Sequence, residues 1–254
     1  MNSDNFKRLN QEVENGLRGR NKGVPMGFKR LNEYIGIRKR IYFLLGGLSG
    51  SGKTALLDNA FVLNPIDWKL SEEGQKSNVK FKVLYRSMER SKVYKLAKWL
   101  SRKIFLDQGI LIPMSVMLGW NGNKMTKDQH DLYLAYKWYL DVLEEYVEMV
   151  EGPENLIGIN KQIIDYAERN GTIEQIDKYN KIYIPNDEEL ITTVVIDHMG
   201  LLRKTKNLPT DKQVTDDMSD KLRYARDFYG FTPVVVSQFN RSISNPIRIK
   251  AGDV

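Results

Sequence analysis

The sequence predicts an α/β fold with a mostly parallel central sheet flanked by helices, and three observations carry that expectation. Four apolar, partly β-branched runs read as strands buried on both faces: Ile41 to Leu45, Phe81 to Tyr85, Thr193 to Ile196 and Pro233 to Val236. Each is separated from the next by at least one segment of helical periodicity, the order expected of right-handed β-α-β crossovers. The first run leads into a glycine-rich turn and then into Ala55-Leu56-Leu57, a strand-turn-helix junction. With 254 residues, 41% of them hydrophobic, the chain can build one sizeable core, so a single domain is expected.

In chain order, Phe6, Leu9, Val13 and Leu17 recur at helical spacing on a polar segment. A basic loop, Arg18-Gly19-Arg20-Asn21-Lys22, follows between Gly16 and Gly23. The apolar stripe would pack on its own domain or dock on a neighbouring subunit, and the pattern does not choose between them. Helices are expected over Ser91 to Ile104, Lys127 to Leu143, Asn160 to Arg169 and Thr215 to Tyr229, with a weaker strand at Tyr146 to Val150. Ile176 to Leu190 reads as a hairpin-like or loop insertion before the third strong strand, and no function attaches to it.

Composition narrows the chemistry. No apolar run approaches the ~20 residues that cross a bilayer. The opening Met1-Asn2-Ser3-Asp4-Asn5 is polar, unlike a signal peptide, so a cytoplasmic protein with no membrane partner is expected. With no cysteine there is no disulfide or thiolate metal site, and two histidines, His130 and His198, are too few for a zinc site. The net charge of +7 suits a polyanionic partner without requiring one.

The junction carries the most specific signal. Gly47, Gly52, Lys53 and Thr54 satisfy G-x-x-x-x-G-K-[ST], and Ser49, Gly50 and Ser51 let the backbone curl so that successive N–H groups face phosphate oxygens. The helix starting near Lys53 and running through Ala55 adds its positive N-terminal end. Lys53 would reach the β- and γ-phosphates of a nucleoside triphosphate, and the Thr54 hydroxyl would ligate Mg²⁺.

Such a cradle needs a second metal-organising carboxylate and a group that activates water. Asp197 ends the apolar run Thr193-Val194-Val195-Ile196, where a Walker B aspartate sits. Glu89 follows another strand in Arg86-Ser87-Met88-Glu89-Arg90, placed to take a proton from attacking water; the alternative is a helix-start acid favoured by the dipole. Gln238, in Ser237-Gln238-Phe239-Asn240-Arg241, would sense the γ-phosphate and pass its presence to the following loop.

Together these segments resemble the RecA-like ATPase domain of the DnaB family of replicative helicases. Gly23 to Leu31 resembles the family's T-G-x-x-T-G-F-x-x-L opening, Ser87-Met88-Glu89 its S-L-E with the catalytic glutamate, and Ile196-Asp197 its Walker B. Ser237-Gln238-Phe239-Asn240-Arg241-Ser242 is similar to S-Q-L-N-R-S, the most family-specific match. Departures accompany the likeness: His198-Met199-Gly200 stands where Y-L-Q is frequent, and Arg86 where the family is apolar.

The resemblance implies a RecA-like P-loop ATPase that uses ATP and Mg²⁺ and assembles as a hexameric ring around single-stranded DNA, with primase or a helicase loader as further partners. It implies a bacterial or phage-infected host cytoplasm. It divides the chain into a linker helix and basic tether over residues 1–22 and an ATPase core over 23–254, incomplete at its C-terminus because the family's arginine finger and main DNA loop would follow Val254. DNA contacts are expected from Arg203, Lys204 and Lys206 after Asp197, and from Arg241, Arg248 and Lys250 after Gln238. Two rivals are a recombinase or recombination mediator on the same fold, and a non-hydrolysing nucleotide switch or ring-loading module.

Overall fold

Successive residues of a strand point to opposite faces of a sheet, and here that alternation divides the core in two. The computed structural model describes residues 3–17, 21, 23–152, 154–205, 207 and 210–238. Its main sheet is parallel, in the order β1-β7-β6-β2-β3. These strands are β1 (Phe43–Gly47), β2 (Lys80–Ser87), β3 (Val147–Glu151), β6 (Leu190–Asp197) and β7 (Thr232–Gln238), while β4 (Gly171–Gln175) and β5 (Lys181–Pro185) form a separate antiparallel hairpin.

On one face, Val83, Tyr85, Val195, Val234 and Val236 pack with Leu57, Phe61, Trp99, Ile104 and Leu143. Those partners come from α3 (Lys53–Asp58) with its π-helical continuation Asn59–Leu63, from α6 (Lys92–Gln108) and from α9 (Lys137–Tyr146). On the other face, Leu84, Val194, Ile196 and Val235 meet Ile159 and Ile163 of α10 (Leu156–Arg169) and Met218, Leu222 and Ala225 of α11 (Asp211–Phe228). The remaining helices are α1 (Ser3–Leu17), α2 (Lys29–Asn32), α4 (Asn64–Leu70), α5 (Glu72–Lys76), α7 (Met114–Met117) and α8 (Lys127–Ala135).

Capping sets the helix starts. Ser91 accepts from Tyr94 N–H, Asn155 from Gly158 N–H, and Thr210 forms a capping box with Gln213. The last two caps start α10 and α11 four residues earlier than apolar spacing alone suggests.

Three sequence expectations change. β1 is an edge strand among the described residues and is not buried on both faces: Phe43 and Leu45 pack on the core, while Leu44 is 53% exposed. The helix expected over Lys127 to Leu143 breaks at Tyr136, whose N–H is shared between the Leu132 and Tyr133 carbonyls and whose hydroxyl accepts from Gln108 Nε2 at 2.9 Å. The hairpin's first strand lies upstream of the expected insertion, and the turn is closed by the Asp177 carboxylate, which accepts from Tyr179 and Asn180 N–H at 2.8 and 2.9 Å.

The weaker strand is present, and pairs with β2 as β3. On α1, Phe6, Leu9, Val13 and Leu17 are all exposed, so the stripe does not pack on its own domain. No helix among the described residues is long and apolar enough to cross a membrane.

Candidate nucleoside triphosphate site

Because the strands run parallel, their carboxyl ends meet at one sheet edge, where ligands of such folds bind. The register sets Gly47 of β1 opposite Gln238 of β7, and Ser87 of β2 opposite Asp197 of β6. Residues far apart in sequence thereby reach one rim.

The glycine-rich turn needs its glycines. Gly52 adopts φ 85°, and a Cβ at Gly47 would lie 2.8 Å from Ser51 Oγ. Gly52 caps α3 with no side chain, so the first-turn N–H groups are left for a ligand's oxygens. Lys53 Nζ donates to the Leu48 carbonyl at 2.6 Å, holding its ammonium over the turn.

Thr54 Oγ1 donates to Asp197 Oδ1 at 3.0 Å, which joins the turn to β6. A hydroxyl and a carboxylate side by side form a hard oxygen pair. Mg²⁺ fits such a site, because it is held by one or two protein oxygens together with phosphates and water. No group of three or more His, Cys, Asp or Glu side chains forms a metal cage among the described residues.

Beneath this pair lies a buried polar cluster that motif spacing did not reveal. Asp197 Oδ2 accepts from Lys95 Nζ at 2.8 Å and from the Tyr85 hydroxyl at 3.0 Å. Asp58 Oδ1 accepts from the same two groups, at 3.2 Å from Lys95 and 2.8 Å from Tyr85. Lys95 also donates to the Tyr85 oxygen. None of the four side chains is more than 2% exposed. Burial, with the two carboxylates alongside, pushes the Tyr85 phenol well above its ordinary range, so it remains a donor with one proton for two acceptors. Two signals pointed here: Asp58 lies one helical turn after Thr54, and Lys95 one turn before Trp99 on a face that is otherwise core.

Glu89 is exposed on the bend after β2, two residues beyond the register partner of Asp197. Met88 N–H donates to the Asp197 carbonyl at 3.0 Å and Ser87 Oγ to the Arg90 carbonyl at 2.6 Å, so the bend is tied to β6 from one side and closed on itself. Arg86 turns its buried guanidinium to the Gly152 carbonyl at 2.7 Å and Gln162 Oε1 at 3.3 Å, and burial lowers its pKa.

Two of the residues expected to contact DNA lie among the described residues. Arg203 and Lys204 are exposed in the segment after Asp197, where Arg203 N–H donates to the Glu154 carbonyl at 3.1 Å. Lys204 is engaged by Asp211 at 3.0 Å. Lys206, Arg241, Arg248 and Lys250 lie outside the described residues, as do Phe239 and Asn240 of the motif following β7.

No protein-family model matches the sequence, and no curated protein sequence matches it. Among solved structures the chain is similar to one described as an ATPase domain, with a TM-score of 0.67 at 17% identity over 100% of this chain and 77% of that one. It is also similar to a DnaB-like replicative helicase described together with its interactions with primase, with a TM-score of 0.61 at 18% identity over 91% of this chain. It spans 48% of that helicase chain. At such identities the likeness establishes the fold, the RecA-like α/β architecture of DnaB-type ATPase domains.

Proposed function

We propose that this chain binds and hydrolyses Mg·ATP and, assembled in a ring, couples turnover to movement along single-stranded DNA as a DnaB-type helicase motor. The observation that carries the reading is the contact between Thr54 and Asp197 at 3.0 Å, made where a phosphate-cradling turn and two further candidate residues share one sheet edge. Bound Mg²⁺ would neutralise charge on the β- and γ-phosphate oxygens.

The chain's own groups divide the remaining work. Backbone N–H groups from Ser49 to Ala55 hold phosphate oxygens, and Lys53 exchanges its Leu48 carbonyl for the β- and γ-phosphates. Thr54 and Asp197 hold the metal side, Glu89 accepts the proton of attacking water, and Gln238, beside Gly47, senses the γ-phosphate. The exposed stripe of α1 is free to dock on a neighbouring subunit, which favours an oligomer in which residues 1–22 link and the following core works. By the same fold-level likeness, primase is a candidate partner.

Turnover by the 254-residue chain, with and without single-stranded DNA, tests the proposal, with nucleotide binding followed in parallel. Lys53→Ala should abolish ATP binding, while Glu89→Gln should leave binding within about threefold and lower turnover by ~10² or more. ATP binding that survives Lys53→Ala would overturn the nucleotide site. Full turnover in Glu89→Gln would remove Glu89 from its role, and turnover indifferent to DNA would count against the motor.

A further inference from the structure

We propose that Lys95 is a positioning residue for the Asp197 carboxylate, fixing through Oδ2 which oxygen of Asp197 is offered to the metal. The inference rests on the nucleotide-site reading above and extends it to a part of the chain that motif spacing leaves silent.

Asp197 has two oxygens with separate partners. Oδ1 takes the Thr54 hydroxyl at 3.0 Å, on the side of the glycine-rich turn. Oδ2 takes Lys95 at 2.8 Å and Tyr85 at 3.0 Å, on the side of the core. A carboxylate held through one oxygen cannot rotate to present the other. The ammonium is itself held in place, lying 4.7 Å from the Tyr85 ring centre and bonded to Asp58 Oδ1 at 3.2 Å. Such outer partners of a metal ligand commonly govern its affinity.

Charge points the same way. Asp58 and Asp197 carry two negative charges and Lys95 one positive, so the buried cluster has the net charge of a single carboxylate. Asp58 therefore serves as the anchor of Lys95, and Lys95 delivers the directed bond to Asp197. The four side chains come from α3, β2, α6 and β6, so the bond also fixes where α6 sits against the sheet. The N-cap of α6 is Ser91, two residues past Glu89, and Lys95 stands about one turn into the helix. One side chain thus sets the Asp197 carboxylate and, through α6, the segment bearing Glu89.

The test separates position from charge. Asp58→Asn keeps the bond from Lys95 to Asp197, whereas Asp58→Asn/Lys95→Met removes it and returns the cluster to one negative charge. Mn²⁺ is the probe, titrated by electron paramagnetic resonance with ADP bound, while ADP affinity is measured separately without metal. Asp58→Asn should bind Mn²⁺ within about threefold of the unaltered chain. The double variant should lose ~10-fold or more and show a changed Mn²⁺ line shape, with metal-free ADP affinity unchanged. Equal Mn²⁺ binding by both would overturn the proposal, leaving Lys95 to balance buried charge only.

A second measurement needs no substitution. With lysines labelled with ¹⁵N, a buried Nζ that exchanges slowly with water should shift when Mg²⁺ is added to the ADP complex, and a signal that stays put would also overturn the proposal. If the unaltered chain binds neither ADP nor Mn·ADP, the nucleotide reading itself falls and takes this inference with it. If ADP binds normally and the double variant holds Mn²⁺ as tightly as Asp58→Asn does, only the inference fails.

Discussion

Arg102 shows how one side chain can hold in place the segment that follows the glycine-rich turn. Its guanidinium donates to Asn59 Oδ1 at 2.6 Å, to Asp67 Oδ2 at 2.9 Å and to Asn64 Oδ1, all on the helix that continues from the glycine-rich turn. Asn59 and Asn64 in turn donate their amide N–H groups to the Ala55 and Met26 carbonyls at 2.7 and 2.8 Å. The π-helical segment Asn59–Leu63 lies between these anchors, just before Pro65, which has no N–H to return to the preceding turn. Arg102→Ala leaves three acceptors without their donor, a loss of about 2–3 kcal/mol, and should lower the melting temperature by roughly 5–10 °C. Arg102→Lys should recover less than half, since one ammonium cannot reach three acceptors in a fixed fork. A melting temperature unmoved by Arg102→Ala would show that the segment holds itself. Residues such as Lys53, Thr54 and Asp197 are legible in the sequence because local spacing and the end of a strand announce them. Tyr85 and Arg102 are not, and Asp58 and Lys95 show only as polar positions at helical spacing from Thr54 and Trp99, because their partners are up to 112 positions away in the chain and only packing brings them together.

Elements show the same division between local and tertiary signal. The central strands β2, β6 and β7 were readable as apolar runs because they are covered on both faces. β1 looked the same by composition, yet its edge position leaves Leu44 exposed, a fact that pairing decides and sequence does not. α8 and α9 share one periodicity, and only the Tyr136 contacts divide them. In the hairpin of β4 and β5, the turn is set by a local device that can be tested directly. The Asn180 side-chain amide, followed by the Tyr179 and Asn180 N–H groups, holds the Asp177 carboxyl below its ordinary range. A depressed pKa means the turn gains from the ionised form above the unfolded value of about 3.9 and loses that gain as pH falls through the lower folded value. Protection of the Tyr179 and Asn180 amides, measured against the intrinsic exchange rate at each pH, should therefore fall on acidification below about pH 4, and Asp177→Ala should show the lower protection already at neutral pH. Equal protection in the variant would mean that strand pairing alone closes the turn.

At the scale of the whole molecule, charge decides how a polyanion would be met. The net charge of +7 gives a general attraction, but contacts to a single strand are counted by how binding falls with salt, about 0.7 in log–log slope for each phosphate neutralised. Arg203 is exposed in the segment after Asp197, so Arg203→Ala should reduce the slope by about 0.7 and weaken binding alike on unrelated sequences. Lys204 starts from a different state. It is paired with Asp211 at 3.0 Å, with both side chains exposed, and reaching a phosphate means leaving that carboxylate. An exposed pair holds only weakly, yet the exchange trades one anion for another and leaves Asp211 facing the strand. Lys204→Ala should therefore lower the slope by less than Arg203→Ala. Asp211→Asn should strengthen binding modestly at low salt, because it frees Lys204 and removes a repelling charge. Fluorescence anisotropy on a labelled oligothymidine at four or five salt concentrations reads all three variants. Identical slopes throughout would mean that the segment between Asp197 and α11 does not touch DNA, and would remove Arg203 and Lys204 from the proposed contact.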